Sequence, residues 1–404
     1  MIDYALLREI CRKNSETANA VVDEFLLYYV AKQEQLQAEM DIRFSSFRHT
    51  LRKFPKGSEN MLKAQYIAHR IFRKNGMIHK YLGHSALSHL NNMERDYLVQ
   101  HAGRPWQFTF SVISGNPAED FFFMWDVFRG DTFLMYSPGT RKTLDEQPVI
   151  LWFNLIGFNG SCWQSYGPIG FYRSFEVDDI FFFGTEFHPQ IDCDEDLVAD
   201  VENNPVPYMQ LLAGSTYPLI YHAKDQIVHN LATYDCNFID TTKLANDFTI
   251  EQSGEVCRIG LKRWNGFPHY STAYHNKNNC SILLSSMTDR GFQQLVGRLN
   301  SYGFRFSPDA ETRVNQSMVI TAGEILKRKI ELNTYEQRFG TKTSEKEQEE
   351  LDQTNNLLQM MLPAINAGQT PDFESIALQA GCDVETVRVL ADQVIRTINK
   401  KRRV

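Results

Sequence analysis

The sequence predicts an α+β fold with helical regions at both ends and an aromatic-rich, mainly antiparallel β region between them. Two observations carry this prediction. Apolar residues in the first hundred positions recur at the spacing of amphipathic helices, whereas the period changes to two residues after Gly103-Arg104-Pro105. A second α+β region and a helical C-terminal tail complete the chain. We therefore expect four domains, comprising residues 1–102, 103–204, 205–335 and 336–404.

Length and composition fit a folded protein with several domains. Of the 404 residues, 43% are hydrophobic and 23% are charged, which is enough apolar material for more than one core. The longest apolar run, Val149 to Phe158, is about half as long as a membrane span. A signal peptide has a basic segment followed by an apolar one, and the first residues do not show this pattern. We therefore expect no signal peptide. Seven unclustered cysteines are typical of the reducing cytoplasm, which is the expected localisation.

The N-terminal region, residues 1–102, is predicted to be helical. Asn14 or Ser15 is the expected cap of a helix whose apolar face lies between Val21 and Val30. A second helix is predicted from about Glu59 to about Arg73, and further helical structure follows it.

The same region contains a basic block that extends from Arg43 to Lys80. Ten lysines and arginines stand there against one acid, Glu59, so this block carries +9 and the rest of the chain −16. Such a block predicts either contact with a polyanion, docking to the protein's own acidic surface, or an ordinary solvated helical face. We expect several of its cations to share one continuous surface. These are Arg48, Arg52, Lys53, Lys56, Arg70, Arg73 and Lys74.

Residues 104–187 are predicted to form one antiparallel sheet. Large apolar residues alternate with polar ones at its start, which is typical of a strand with one buried face. The buried set is expected to be Trp106, Phe108, Phe110 and Val112. Gly130-Asp131 and Asn159-Gly160 predict hairpin loops. The apolar run Ile180–Phe187 is predicted to be the last strand.

The following region, residues 205–335, is predicted to mix strands and helices. Pro205-Val206-Pro207 marks its start, and two apolar runs around Ser253-Gly254 predict a hairpin. Thr288 is the expected N-cap of a helix with one apolar stripe. Another helix is predicted from Ser317 to about Leu332.

The C-terminal tail carries the most specific pattern in the sequence, after a polar stretch, residues 341–356, that predicts a linker or an exposed helix. Ala377, Gly381 and Val387 follow an A-x3-G-x5-V spacing. A small residue at a helix crossing and a glycine in the turn are what this spacing provides. The segment resembles helix-turn-helix modules in general. The resemblance implies that the helix beginning near Asp383 would be the reading helix, with Glu385, Thr386, Arg388, Val389 and Gln393 facing outward.

The charges on that helix do not decide whether it contacts DNA or another protein. Asp383 and Glu385 place negative charge where phosphates would approach, and Arg388 is the main cation. Further positive charge comes only from Arg396 and from residues 400–403. The tail is therefore predicted to contact either DNA or another protein.

No signature of catalysis or of cofactor binding stands out. Phosphate-loop, dinucleotide-binding and zinc-protease motifs are missing from the sequence, so a binding function is favoured over an enzyme and no cofactor is expected. A dispersed metal-dependent hydrolase or nuclease is one alternative. Its ligands would be Glu186, His188, Asp192 and Asp194, with the first two on one strand face.

The favoured function is nucleic-acid-associated binding or regulation, in which the β middle senses a ligand or partner. The alternatives are a scaffold that contacts proteins through both helical ends, and the dispersed hydrolase or nuclease. Nucleic acid or protein partners are expected, and a membrane is not. The expected nucleic-acid-binding residues are Arg48, Arg52, Lys53, Arg70, Arg73, Lys74, Thr386, Arg388 and Gln393.

Overall fold

The computed structural model describes residues 2–214, 217, 219–339, 345–366 and 369–402. Side chains at 345–352, 354–355, 366, 393 and 396–402 lie outside this description. The chain forms two compact units, Met1–Asn333 and Thr334–Val404. The α+β class is confirmed. The finer domain boundaries at 102/103, 204/205 and 335/336 stay predictions.

The N-terminal region is helical, as predicted. Its helices are α1 (Tyr4–Ala18), α2 (Leu27–Gln33), α3 (Leu36–Ser45), α4 (Arg48–Leu51), α5 (Ser58–Phe72), α6 (Ile78–Tyr81) and α7 (Asn92–Gly103). The start predicted at Asn14 or Ser15 is wrong, because the Asp3 carboxylate already caps α1 by accepting the Ala5 N–H at 3.0 Å. A π-helical turn, Asn19–Leu26, carries α1 into α2 without a break.

The next strands close into a barrel with the order β1-β2-β3-β5-β4. Its elements are β1 (Gln107–Ala118), β2 (Phe121–Asp126), β3 (Thr132–Tyr136), α8 (Pro138–Glu146), β4 (Leu151–Phe158) and β5 (Trp163–Tyr172). The strand pairs are antiparallel except β3 and β5, which run parallel at Met135 and Trp163. The hairpin predicted at Asn159-Gly160 joins β4 to β5, and Gly160 has a left-handed φ of 90°.

Both faces of β1 are buried from Phe108 to Ser111, which differs from the one buried face that the alternation predicts, and Val112 of the predicted buried set is only half-buried. Phe108 and Phe110 lie in the large core shared with the N-terminal helices. Thr109 and Ser111 are also buried, at 1% and 0% exposure, on the face that carries Trp152 of β4. Because the sheet closes on itself, the face that would meet solvent in an open sheet lines the barrel interior.

The segment predicted as the last strand is helical instead, so that prediction is wrong. α9 (Val177–Phe187) starts with a capping box, in which the Asp179 carboxylate accepts the Glu176 N–H at 2.8 Å. A short apolar run fits a buried helix as well as a buried strand, so its period alone could not decide. α10 (Asp194–Asn203) and α11 (Pro205–Gly214) follow and pack into the same core.

A partly buried ion network connects this helical layer to the barrel. The Arg129 guanidinium donates to Asp126 at 2.9 Å and to Glu202 of α10 at 3.0 Å. Glu202 also accepts the Phe108 N–H at 2.9 Å and lies 2.6 Å from Nε2 of the fully buried His69. Both carboxylates thus have charged or polar partners, which is the condition for burying them without a large penalty.

A second, six-stranded antiparallel sheet has the order β13-β8-β12-β11-β10-β9. The elements of this region are β6 (Tyr221–His222), β7 (Asp225–Gln226), β8 (Val228–Asp235), α12 (Thr241–Leu244), β9 (Phe248–Ser253), β10 (Val256–Leu261), β11 (Thr272–Asn276), β12 (Ser281–Ser286), α13 (Asp289–Ser301), β13 (Thr312–Asn315) and α14 (Gln316–Leu326). The predicted β9–β10 hairpin is confirmed. Thr288 caps α13 as predicted, since its hydroxyl accepts the Gly291 N–H at 3.0 Å. α14 ends earlier than predicted, at Lys327, whose φ is 54°.

The smaller unit contains α15 (Glu345–Asn366), α16 (Phe373–Ala380) and α17 (Val384–Arg402). Gly381 lies in the turn between α16 and α17 with a φ of 66°, as the spacing predicts. Ala377 and Val387 are 3% and 0% exposed and belong to one apolar cluster. Of the helices in the described part of the chain, none has both the length and the apolar character needed to cross a bilayer.

The first testable prediction concerns this cluster. Ala377→Leu is expected to destabilise the smaller unit by about 1–3 kcal/mol, because the added atoms have no room at a buried position. Hydrogen exchange of the amides of α16 and α17 in the full-length protein measures the loss. The matched control is Leu378→Ala, since Leu378 is 85% exposed and its loss should change stability by less than about 0.5 kcal/mol. Equal exchange in both variants would contradict the packing.

Candidate functional site

A cavity of about 430 Å³ lies between the N-terminal helices and the barrel. Its walls come from α1, the π-helical turn, α5, α7 and the strands β4 and β5. This volume falls within the range of about 300–1,000 Å³ that is usual for small-molecule sites. Polar side chains from separate elements converge on it, which makes it the strongest candidate functional site in the described structure.

Asp23 enters the cavity wall from the π-helical turn. The wider turn has one more residue per hydrogen-bonded ring than an α-helix, and such turns are frequent at functional sites. The Asp23 carboxylate is half-buried and accepts a hydrogen bond from the Tyr166 hydroxyl of β5. Burial raises the pKa of Asp23, while the Tyr166 hydrogen bond acts in the opposite direction. Asp23 makes no ion pair with any described residue.

His101 of α7 contributes a buried imidazole to the same wall. The Trp106 indole N–H donates to Nδ1 of His101 at 2.9 Å, so the neutral ring carries its proton on Nε2. Burial lowers the pKa of His101 to about 4, which keeps the ring neutral near pH 7. Nε2 is buried and has no partner among the described residues. It is therefore a hydrogen-bond donor without an acceptor beside a cavity.

Trp106 is held in place from both sides. Its ring stacks on Phe72 with centroids 4.4 Å apart and lies 4.7 Å from the ring of Tyr166. Gly157 of β4 meets the indole closely, since a Cβ there would lie 2.5 Å from Nε1. Only glycine therefore allows the indole N–H to reach His101.

Gln164 of β5 fixes the opposite wall. Its carbonyl oxygen accepts from the amide of Asn14 at 3.0 Å and from that of Asn159 at 2.6 Å. Its own amide donates to the Cys11 carbonyl at 3.0 Å and to the Ser15 hydroxyl at 3.1 Å. Three of these bonds tie α1 to the barrel and the fourth lies within the β4–β5 hairpin, so this side of the cavity is pre-organised.

A pair of buried thiols lies beside this wall. The sulfur atoms of Cys11 and Cys162 are 3.3 Å apart, and the Asn159 amide donates to the Cys11 sulfur at 3.2 Å. The hydrogen bond from the Cys162 thiol lowers the pKa of Cys11. Both cysteines are free thiols.

Three cations of the predicted basic surface are engaged with groups of their own unit. Lys53 Nζ lies 2.6 Å from a Glu324 carboxylate oxygen, and Arg70 lies 3.4 Å from Glu39. The Arg73 guanidinium donates to a backbone carbonyl of α10 at 3.2 Å. These contacts favour the interpretation that part of the basic block docks on the protein's own acidic groups.

The other four cations of that predicted surface are exposed. None of them makes an ion pair or a side-chain hydrogen bond with a described residue. They are Arg48, Arg52, Lys56 and Lys74. Arg48 and Arg52 stand four positions apart at α4, where two side chains are neighbours on a helical surface.

The tail residues expected to face outward do so where they are described. Thr386 is exposed, and its hydroxyl donates to the Asp383 carboxylate at 2.6 Å. Arg388 is 56% exposed in its side chain, lies 3.7 Å from Glu385 and stands over the Phe373 ring. The Gln393 side chain lies outside the described residues.

The residues of the dispersed metal alternative have other partners. Glu186 and His188 do not share a strand face, because they lie at the end of α9 and just after it. Glu186 pairs with Arg328, and His188 Nδ1 lies 2.6 Å from Asp200. In the described residues, Asp192 approaches Cys193 and Asp196 instead, in an exposed cluster that contains neither Glu186 nor His188.

Sequence reasoning missed the cavity, although it singled out Trp106 as a core residue. Asp23 occupies one polar position in an amphipathic helical pattern, and His101 stands near the end of a helix. No spacing connects these positions with Tyr166, which lies 143 residues from Asp23. The only local signal is weak: a glycine at 157 in an apolar strand indicates a close approach of other atoms.

Comparison with known proteins assigns no function to the residues of the cavity or of the tail. The chain matches no protein-family model, no curated protein and no solved structure. A functional assignment therefore has to come from the side chains of the cavity and of the tail, and from what those groups can bind.

Proposed function

We propose that this protein is a nucleic-acid-associated regulator, in which the tail contacts nucleic acid and the larger unit binds a small ligand in the cavity. The observation that carries the proposal is the turn between α16 and α17. Gly381 is left-handed, Ala377 and Val387 are buried, and Thr386 and Arg388 remain exposed on the second helix. This is the arrangement that a reading helix requires.

The local chemistry supports a role for Arg388 in this contact. Its ion pair with Glu385 is exposed, and exposed pairs contribute only about 0–1 kcal/mol. The guanidinium is therefore free to exchange Glu385 for a phosphate or a guanine edge at little cost. In the larger unit, taken by itself, Arg48, Arg52, Lys56 and Lys74 are exposed without an ion pair to a described residue and are available for phosphate contacts of their own.

The second prediction tests this role. Arg388→Ala is expected to weaken the complex with duplex DNA in fluorescence anisotropy measured over a range of salt concentrations. If Arg388 reads a base, one sequence loses about 1–3 kcal/mol of binding free energy while others change little. If it contacts a phosphate, all sequences weaken alike and the salt slope falls by about 1. Arg12→Ala is the control, because Arg12 is an exposed arginine that pairs with Glu9 and Glu16.

A protein-binding tail is the second candidate, and one observation favours it. Leu378 and Val389 are 85% and 48% exposed, so α16 and α17 present apolar side chains to solvent. If wild-type protein shows no salt-dependent affinity for DNA, the nucleic-acid proposal fails and this alternative takes its place. A changed affinity for the Arg12→Ala control as large as that for Arg388→Ala would also contradict the proposal.

A further inference from the structure

We infer that the cavity beside Asp23 is a binding site for a small organic cation, an ammonium or amidinium group carried on an apolar or aromatic body. The inference rests on the ligand-sensing part of the proposed function and names the class of its ligand. Four properties of the cavity lead to it: its charge, an uncompensated carboxylate, its aromatic walls, and its size.

The charge of the cavity selects against anions. Among the described residues that line it, Asp23 is the single carboxylate and no lysine or arginine is present. His101 is neutral near pH 7 because burial lowers its pKa to about 4. A phosphate or carboxylate ligand would therefore meet a negative charge and find no cation, whereas a positively charged ligand would be attracted.

Asp23 is half-buried and has no cationic partner among the described residues. Tyr166 donates to Oδ1 of Asp23, and no described residue donates to Oδ2. Charged groups withdrawn from water are usually paired, as Asp126 and Glu202 are with Arg129 in this same unit. A ligand N–H beside Oδ2 would complete the Asp23 site in the same way.

The walls suit an organic cation better than a bare metal ion. Tyr97 and Tyr166 line the cavity, and aromatic rings attract ammonium and guanidinium groups. A hard divalent ion needs about six or more oxygen ligands, whereas Asp23 is the one carboxylate among the described lining residues. The volume of about 430 Å³ also leaves room for a ligand body beyond the charged group.

His101 adds a preference for a hydrogen-bond acceptor on the ligand. Its Nε2 proton has no acceptor among the described residues, and the Trp106 hydrogen bond holds the ring in that tautomer. A buried donor without an acceptor is unfavourable, because it has lost its hydrogen bond to water. A ligand that carries a hydrogen-bond acceptor, such as an ether, hydroxyl or carbonyl oxygen, would remove that cost.

Isothermal titration calorimetry on the full-length protein, without nucleic acid, tests the inference with three probes of similar size. Benzamidine is the cation, benzyl alcohol the neutral probe and benzoate the anion. We expect benzamidine to bind at least about tenfold more tightly than either of the others. Asp23→Asn should remove that preference. Glu24→Gln is the matched control, because Glu24 is the exposed neighbour on the same π-helical turn and should retain it.

A second variant keeps the test decisive if Asp23→Asn does not fold. Ala64→Phe places a ring in the cavity without changing its charge, and it should weaken benzamidine binding at least about tenfold. Equal binding of benzamidine and benzoate, no binding of benzamidine, or the same loss in Glu24→Gln as in Asp23→Asn would each overturn the inference. DNA binding by the tail is measured separately, so failure of one proposal is distinguishable from failure of the other.

Discussion

Replacing Trp106 with alanine is expected to lower the free energy of unfolding of the larger unit by about 3–5 kcal/mol. The indole is 2% exposed and stacks on Phe72 at 4.4 Å, so its removal leaves a hole in packed surroundings. His101 would also lose its Nδ1 donor and retain two unpartnered ring nitrogens in a buried position. Urea denaturation followed by circular dichroism measures the change.

The matched control for that experiment is Trp125→Ala. Trp125 lies on the barrel strand β2 and is 43% exposed, so its removal should cost much less than the removal of a buried indole. Similar losses in the two variants would mean that Trp106 is no more important to the core than a surface tryptophan. That result would contradict the packing of α5, α7 and the barrel around Trp106.

Replacing Arg129 with methionine should destabilise the larger unit by a similar amount, about 3–5 kcal/mol. Methionine retains much of the side-chain length but removes the charge that faces Asp126 and Glu202. The Asp126 side chain is only 2% exposed, so its carboxylate would be left buried without a cation. The same urea denaturation provides the measurement.

Arg12→Met is the control for this second experiment. Arg12 also pairs with two acids, Glu9 and Glu16, but its side chain is 59% exposed. Water screens those pairs, so the loss should stay below about 1 kcal/mol. If Arg129→Met costs no more than Arg12→Met, the network does not connect α10 to the barrel in the way its hydrogen bonds indicate.

Local signals in the sequence predicted the elements that depend on a few neighbouring residues. The Asn159-Gly160 hairpin, the Thr288 cap and the Gly381 turn each require a particular residue within about four positions, either for a left-handed φ or for a side-chain acceptor. The alternation after Trp106 predicted a strand for the same reason. Where local chemistry was ambiguous, as in the apolar run of α9, the period alone led to the wrong element.

The surroundings of those elements could not be predicted in this way. Burial of Thr109 and Ser111 follows from closure of the barrel, in which β3 pairs with β5 although α8 and β4 separate them in the sequence. The choice among the three interpretations of the basic block also depends on tertiary contacts. Lys53 and Arg70 stand in a basic stretch of sequence, yet each has an acidic partner that only the folded chain supplies.

By itself, the sequence determined the fold class, several turns and caps, and the exposed tail surface on which the nucleic-acid proposal rests. The position of the cavity and the residues that line it follow only from the tertiary structure. Asp23, His101 and Tyr166 come from a π-helical turn, a helix and a strand, and no spacing along the chain relates them. Their chemistry arises from proximity and burial: folding places the Asp23 carboxylate in a wall without a described lysine or arginine, and it buries His101 Nε2 without an acceptor among the described residues.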